Sequence, residues 1–428
     1  MTSIVIALLS FGLRIWHLAT PKGLVFDEVY YVDGARDFLK YGVEVKGHAP
    51  EFIVHPPVAK WCIAFGIKVF GNHEFGWRFS AAVAGALTIY LISRIAKRLF
   101  HSTRMANLAA LLMALDGLNL VHSRTALLDL FLTFFVLLGV NAWLKEQFWR
   151  TGIFFALATG TKWSGVYFLV AFGVLTIYRD RVRIQTWTRL FTLRVLQFVV
   201  VPISVYTATW SGWLLTSRGW DRQWADKNPS SWKFIPTALR SLWHYHAEML
   251  HFHKTLTTKH TYQANPWGWL IMRRPTSFFY ASPKTCGAKD CSQEVLAIGT
   301  PLLWWLGTLA IVALAGFWLR SVLRKQIDST ASVILVGFAA SYLPWFLFQK
   351  RTVFEFYAIV IEPFIILALV YCADKFLGRQ PGSLYRRLTL ALFVLLIAAN
   401  FIYFWPLFTA TVITYSHWSK LMWFSSWI

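Results

Sequence analysis

Long apolar runs separated by short loops dense in Lys and Arg recur along the whole of this chain. Runs of roughly 17–25 residues are long enough to cross a bilayer as helices. The pattern predicts spans near 2–19, 79–99, 105–121, 124–144, 151–161, 163–178, 190–215, 297–318, 331–349, 354–373 and 388–408, about eleven in all. The runs at 151–161 and 163–178 are short and meet at Gly160-Thr161-Lys162. The first run carries Arg14 and has neither a basic leader nor a small-residue cleavage site, so it reads as a retained anchor with one face against protein.

The basic loops test this count. With the N-terminus in the cytoplasm, Arg94, Lys97, Arg98 and Arg104 fall inside, as do Lys145 and Arg150. So do Arg179, Arg181, Arg183, Arg189 and Arg194, then Arg320, Arg324 and Lys325, and finally Lys375, Arg379, Arg386 and Arg387. All the short basic loops land on one side, as the positive-inside bias requires. The C-terminus is then extracytoplasmic. Two longer segments, 20–77 and 216–296, also face outward, the first with an amphipathic helix at 58–70 after Pro56-Pro57. The whole chain, 1–428, reads as a single all-α transmembrane domain.

Composition agrees with a membrane setting. Hydrophobic residues make up 57% and charged residues only 14%, where a soluble domain carries about 25% charged residues. The 23 Trp suit side chains seated at headgroup depth. A net charge of +22 would otherwise suggest nucleic acid, but the excess lies in the short loops, so no nucleic-acid partner is expected. Cys62 and Cys372 sit in apolar runs, whereas Cys286 and Cys291, in CGAKDC, fit a small disulfide ring in an oxidising compartment better than a metal site.

Charges within spans are costly and tend to mark function. In this topology they gather on the outer side. Asp27-Glu28 lies in GLVFDEVYY, His55 and Lys60 in HPPVAK, and Arg78 at the start of the second span. Asp116, Arg124 and Asp129 flank the third and fourth spans, Lys162 occupies GTKWSG, and Arg351 precedes the tenth span. A carboxylate that takes a proton from an acceptor hydroxyl, beside cations that hold a departing phosphate, would serve a transferase with a lipid-phosphate donor. Mutual pairing of the charges is the plainer reading, and it is preferred for Asp129 and Lys60 taken singly. In WHYHAEMLHFH, His244, Glu248 and His251 share a helical face with spacing for a divalent metal. An interfacial amphipathic helix explains the same stretch and is preferred.

The motifs FDEVYY, HPPVAK, WRFSAAVAG, DGLNLVHSRTALLD, GTKWSG, YHAEMLHFH, HTYQANPWGW, CSQEVLAIGTPLLWW and RTVFEFYAIVIEPF span nearly the whole chain. Together they resemble the actinobacterial protein O-mannosyltransferases, membrane-embedded glycosyltransferases of the GT-C fold. The resemblance implies transfer of mannose from polyprenyl-phosphate-mannose to Ser or Thr of secreted proteins, with inversion. It implies Asp27 as base with Glu28 beside it, and carries the family's charged positions onto Arg14, Arg78, Asp116 and Arg124. Catalysis is therefore expected from Asp27, Glu28 and Asp116. Donor phosphate is expected to meet Arg14, His55, Lys60, Arg78, Arg124, Lys162 and Arg351. The lipid donor is expected as substrate, with a divalent metal left open as a cofactor, and contact with the secretion translocon is expected from the outward active face. The segment between Gly219 and Leu296 is too short for the β-trefoil domain of eukaryotic members. A different GT-C enzyme moving another sugar is the nearest rival. A transporter of lipid-linked sugar would show internal symmetry, and no repeat is present.

Overall fold

The computed structural model describes residues 1–47, 49–181, 187–229, 232–378 and 383–428; the basic-loop residues Arg183 and Arg379 lie outside these. Among the described residues, five helices are long and apolar enough to cross a membrane by length and composition: Glu74–Phe100, Thr188–Thr209, Pro301–Leu323, Ser329–Phe348 and Leu384–Thr409. Thr2–Ile15 and Leu128–Trp143 are shorter apolar helices.

Several predicted spans are broken where the sequence supplies a reason. The run 105–121 divides into Thr103–Ala114 and Gly117–His122, because Asp116 caps the second piece by accepting from Asn119 N at 3.0 Å. The run 354–373 opens as a 3₁₀ turn, Glu355–Val360, before Glu362–Leu377. The expected 58–70 helix forms as Val58–Phe70, with Ala59, Ile63 and Ile67 buried against Glu74–Phe100 and Phe65 and Val69 exposed.

The fold is mostly helical but not all-α, which corrects the sequence expectation. The long segment between the Thr188–Thr209 and Pro301–Leu323 helices contributes two antiparallel strands, Thr276–Ala281 and Cys291–Ala297, and Ile413–Thr414 joins as a third. SFFY and SQEVLA are rich in the aromatic, apolar and small polar residues that suit a pleated, half-buried surface. Cys286 and Cys291 form a disulfide beside the turn between the first two strands. Pairing of Cys291 with Thr414 draws the chain that follows the last long helix back onto that segment. A short ribbon, Val45–Lys46 with Ala49–Pro50, lies in the first outer segment. The helix predicted to begin at 297 starts at Pro301, since the strand runs to Ala297.

Candidate functional site

Asp27 sits at the N-cap of the Glu28–Tyr41 helix. The preceding Phe26 has φ +45°, a left-handed conformation that is costly for a bulky residue. Aromatic packing holds it there. Its ring stacks on Phe278 at 4.8 Å and meets Phe354 and Phe356 edge-on at 5.9 and 5.5 Å. The strand Thr276–Ala281 thus braces the residue that aims Asp27. Among the described residues, the Asp27 carboxylate has one side-chain hydrogen bond, accepted from Tyr31 Oη at a long 3.4 Å. Burial pushes its pKa up to about 6, with the Lys162 ammonium opposing that rise and Asp129 adding to it.

Glu28 is next in sequence and opposite in character. Oε1 accepts from Arg78 Nε at 2.8 Å and from Ala126 N at 2.8 Å, and Oε2 accepts from an Arg78 terminal nitrogen at 2.9 Å and from Val25 N at 3.0 Å. Both side chains are fully buried. Arg78 also donates to the carbonyls of Leu18, Pro21 and Gly23. The pair ties the first outer loop to the Glu74–Phe100 helix.

Several other expected site residues are likewise committed to the fold. Arg14 donates to Ser10, to Ser123 Oγ at 3.0 Å and to Asn119 Oδ1 at 2.6 Å, and Asn119 passes the contact on to Glu362 at 3.1 Å. Gly85 permits this approach, since a Cβ there would stand 2.0 Å from Ser123 Oγ. Arg124 donates to the carbonyls of Leu13, Arg14, Trp16 and His17, capping the first helix. Asp116 accepts from Thr300 N at 3.0 Å and Trp304 Nε1 at 2.8 Å as well as capping its own helix. Lys60 pairs with buried Glu44 and donates to His55 O at 3.1 Å.

The remaining cations converge on a cavity of about 120 Å³, lined by His55, Lys162, Trp163, Tyr167, His253 and Arg351 among others. Lys162 donates to Asp129 at 2.8 Å and lies 3.7 Å from the centre of the Tyr357 ring. Arg351 donates to His253 Nδ1 at 3.1 Å, while its buried Nε has no partner among the described residues. Because guanidinium only donates, His253 Nδ1 is the acceptor and Nε2–H donates to Val54 O at 3.0 Å. Burial lowers the His253 pKa to about 4, with Arg351 adding to the effect, and burial lowers His55 well below its usual value. Both imidazoles are neutral at physiological pH. Tyr31 connects the two halves, touching Asp27 through its hydroxyl and lying 6.2 Å from the His55 ring.

Sequence reasoning missed His253, His246, Tyr31 and Tyr357. The signal for the histidines was present: on the Thr237–Thr255 helix, Leu242, Tyr245 and Met249 are buried, and His246 and His253 flank that inward stripe. The other stripe, whose metal reading is the less favoured one, gathers no ligand set among the described residues. His244 stacks on Trp224 at 4.2 Å and bonds Asp221 at 3.2 Å, so it does not converge with Glu248 and His251. Among the described residues no three His, Cys, Asp or Glu side chains are grouped to hold a metal.

The comparisons with known proteins follow this geometry. The chain's fold is similar to that of the S. cerevisiae protein O-mannosyltransferase Pmt1–Pmt2 complex bound to the sugar donor, with a TM-score of 0.81 at 16% identity over 100% of this chain and 92% of that one. It is also similar to ArnT from Cupriavidus metallidurans bound to undecaprenyl phosphate, with a TM-score of 0.57 at 15% identity over 94% of this chain and 69% of that one. These two likenesses are of fold. Residues 4–213 match the dolichyl-phosphate-mannose-protein mannosyltransferase family, and residues 238–427 match the C-terminal four-TMM region of protein O-mannosyltransferases. A polyprenol-phosphate-mannose–protein mannosyltransferase of Mycolicibacterium smegmatis is 32% identical, over 100% of this chain and 92% of its own length. That of Corynebacterium glutamicum is 32% identical over 96% and 89%. The chain belongs to the polyprenol-phosphate-mannose–protein mannosyltransferase family.

Proposed function

We infer that this protein is a glycosyltransferase that moves mannose from polyprenyl-phosphate-mannose to Ser or Thr hydroxyls of proteins at the outer membrane face. The observation that carries the mechanism is the contrast between adjacent acids. Glu28 has both oxygens taken up by Arg78 and backbone amides, whereas among the described residues Asp27 has only the long contact from Tyr31. Asp27 is the base: it takes the proton of the acceptor hydroxyl as that oxygen attacks the sugar's anomeric carbon. The bond from that carbon to the phosphate oxygen breaks, and polyprenyl phosphate leaves with the electron pair. Attack opposite the leaving group inverts the centre. Arg351 and Lys162, at the cavity, bind the phosphate and stabilise its developing charge. Arg351's unpartnered Nε supports that assignment. Glu28, Asp116, Arg14, Arg78, Arg124 and Lys60 are positioning residues.

The proposed topology keeps about eleven spans, shorter or broken ones included, in one domain of a bacterial plasma membrane. Arg78 and the site stand near the start of Glu74–Phe100, and Lys97 and Arg98 near its end, about 30 Å away at 1.5 Å per residue. That separation supports an extracytoplasmic site, with the N-terminus inside, the C-terminus outside and the site facing secreted chains as they emerge. Contact with the secretion translocon would follow from that placement. Transfer of labelled mannose to a Ser/Thr-rich peptide by purified protein tests the function. Equal transfer by Asp27→Asn would overturn the base assignment.

A further inference from the structure

We infer that Trp163 is the surface against which the donor's sugar ring rests, and that Tyr206 and His246 lock its indole in place. The inference rests on the mannosyl-transfer reading above. Trp163 lies between Lys162 and Ser164 in the cavity wall, with Arg351 in the same lining. Its indole N–H donates to Tyr206 Oη at 2.8 Å, and that hydroxyl is 2.8 Å from His246 Nε2. His246 Nδ1 is 2.7 Å from Leu242 O. A carbonyl can only accept, so Nδ1 carries the proton and Nε2 accepts from Tyr206. The chain therefore runs one way, from indole to phenol to imidazole to backbone, with each donor satisfied.

Two consequences follow. The polar need of Trp163 is met away from the cavity, so what it offers a ligand is ring surface. The ring is also fixed: the imidazole of His246 stacks on it, with centroids 5.8 Å apart at 23°, and His246 is not part of the cavity lining. The indole thus has His246, outside the lining, stacked on it, while on the cavity side the His253 ring stands 5.8 Å away, tilted at 58°. A pyranose presents a face of C–H bonds that suits an aromatic plane. The neighbouring Lys162 and Arg351 suit the phosphate on the anomeric oxygen. Sugar and leaving group would be recognised side by side by consecutive residues.

The experiment compares two ligands on detergent-purified protein: polyprenyl-phosphate-mannose, and polyprenyl phosphate without sugar. Trp163→Ala is expected to weaken binding of the mannosylated lipid roughly three- to tenfold, the range of a lost aromatic contact, while leaving polyprenyl phosphate within about twofold. Trp163→Phe keeps a ring and is expected to recover most of the affinity. Tyr206→Phe frees the indole and is expected to lower kcat more than it raises donor KM. Equal weakening of both lipids by Trp163→Ala would put the ring against phosphate or isoprenoid and overturn the inference, as would no effect on either. Should Trp163→Ala not fold, Trp163→Leu, with bulk but no aromatic plane, carries the same expectation. Failure of the mannosyl-transfer reading would be separate: the wild type itself would then not consume the mannosyl donor.

Discussion

Glu28 and Arg78 form a fully buried pair in which both carboxylate oxygens meet the guanidinium, at 2.8 and 2.9 Å, at the junction of the first outer loop and the Glu74–Phe100 helix. Removing one partner of such a pair leaves an uncompensated buried charge, at a cost of about 3–5 kcal/mol. Glu28→Ala is therefore expected to lower the unfolding temperature and the yield of monodisperse protein. Asp27→Asn should leave both near wild type. Thermal unfolding in detergent separates the two, and a Glu28→Ala protein as stable as wild type would contradict the positioning role.

If Asp27 is the base proposed above, the pH profile is expected to show an acidic limb set by its carboxyl. Its carboxyl works as a base only when ionised, and its pKa is raised from 3.8 to about 6, by burial first. Protonation below that value removes the base, so kcat/KM is expected to fall about tenfold per pH unit below 6 and to level off above it. Lys162 favours the carboxylate and Asp129 disfavours it. Lys162→Met should move the limb to higher pH and Asp129→Asn to lower pH. His253, held to about 4, cannot supply this limb. A profile flat down to pH 4.5 would contradict the assignment.

Arg351 is expected to act on the donor. Truncation to Ala removes a charged donor aimed at developing negative charge, and kcat/KM for the lipid donor should drop by about 10²–10³. Arg351→Lys keeps the charge but loses the contact to His253 and should recover only part of the rate. Steady-state kinetics with varied donor concentration checks both.

Phe278 is expected to matter although it bears no polar atom. It is buried on the outer sheet and stacks on Phe26, whose left-handed backbone sets the direction of Asp27. Phe278→Ala should cost about 3–5 kcal/mol of stability. It should also lower kcat while leaving binding of polyprenyl phosphate little changed. Unfolding curves and a lipid-binding assay on the same preparation separate the two effects.

What the sequence made legible divides along physical lines. Hydropathy is additive along the chain, so the long apolar helices could be read directly. Asp27 could also be singled out, because adjacent acids among aromatic neighbours need either cations or a task. Which of the two had the task could not be read: it depends on Ala126 N and Arg78 reaching Glu28 across 98 and 50 positions of chain. For the same reason Arg14 and Arg124 looked like phosphate ligands, when their donors serve Asn119 and the end of the first helix. The three-stranded sheet was missed because its third strand, Ile413–Thr414, comes from beyond the last long helix. His253 was passed over for His244, since metal spacing on one helix is a local signal and the contact to Arg351 is not.

The most direct test of the account is mannose transfer from labelled polyprenyl-phosphate-mannose to a Ser/Thr/Pro-rich peptide, run side by side for wild type and Asp27→Asn. The account predicts labelled peptide from the wild type, and a loss of at least about 10²-fold in the variant, whose fold and donor binding stay intact. Labelled peptide at equal rates from both proteins would contradict it.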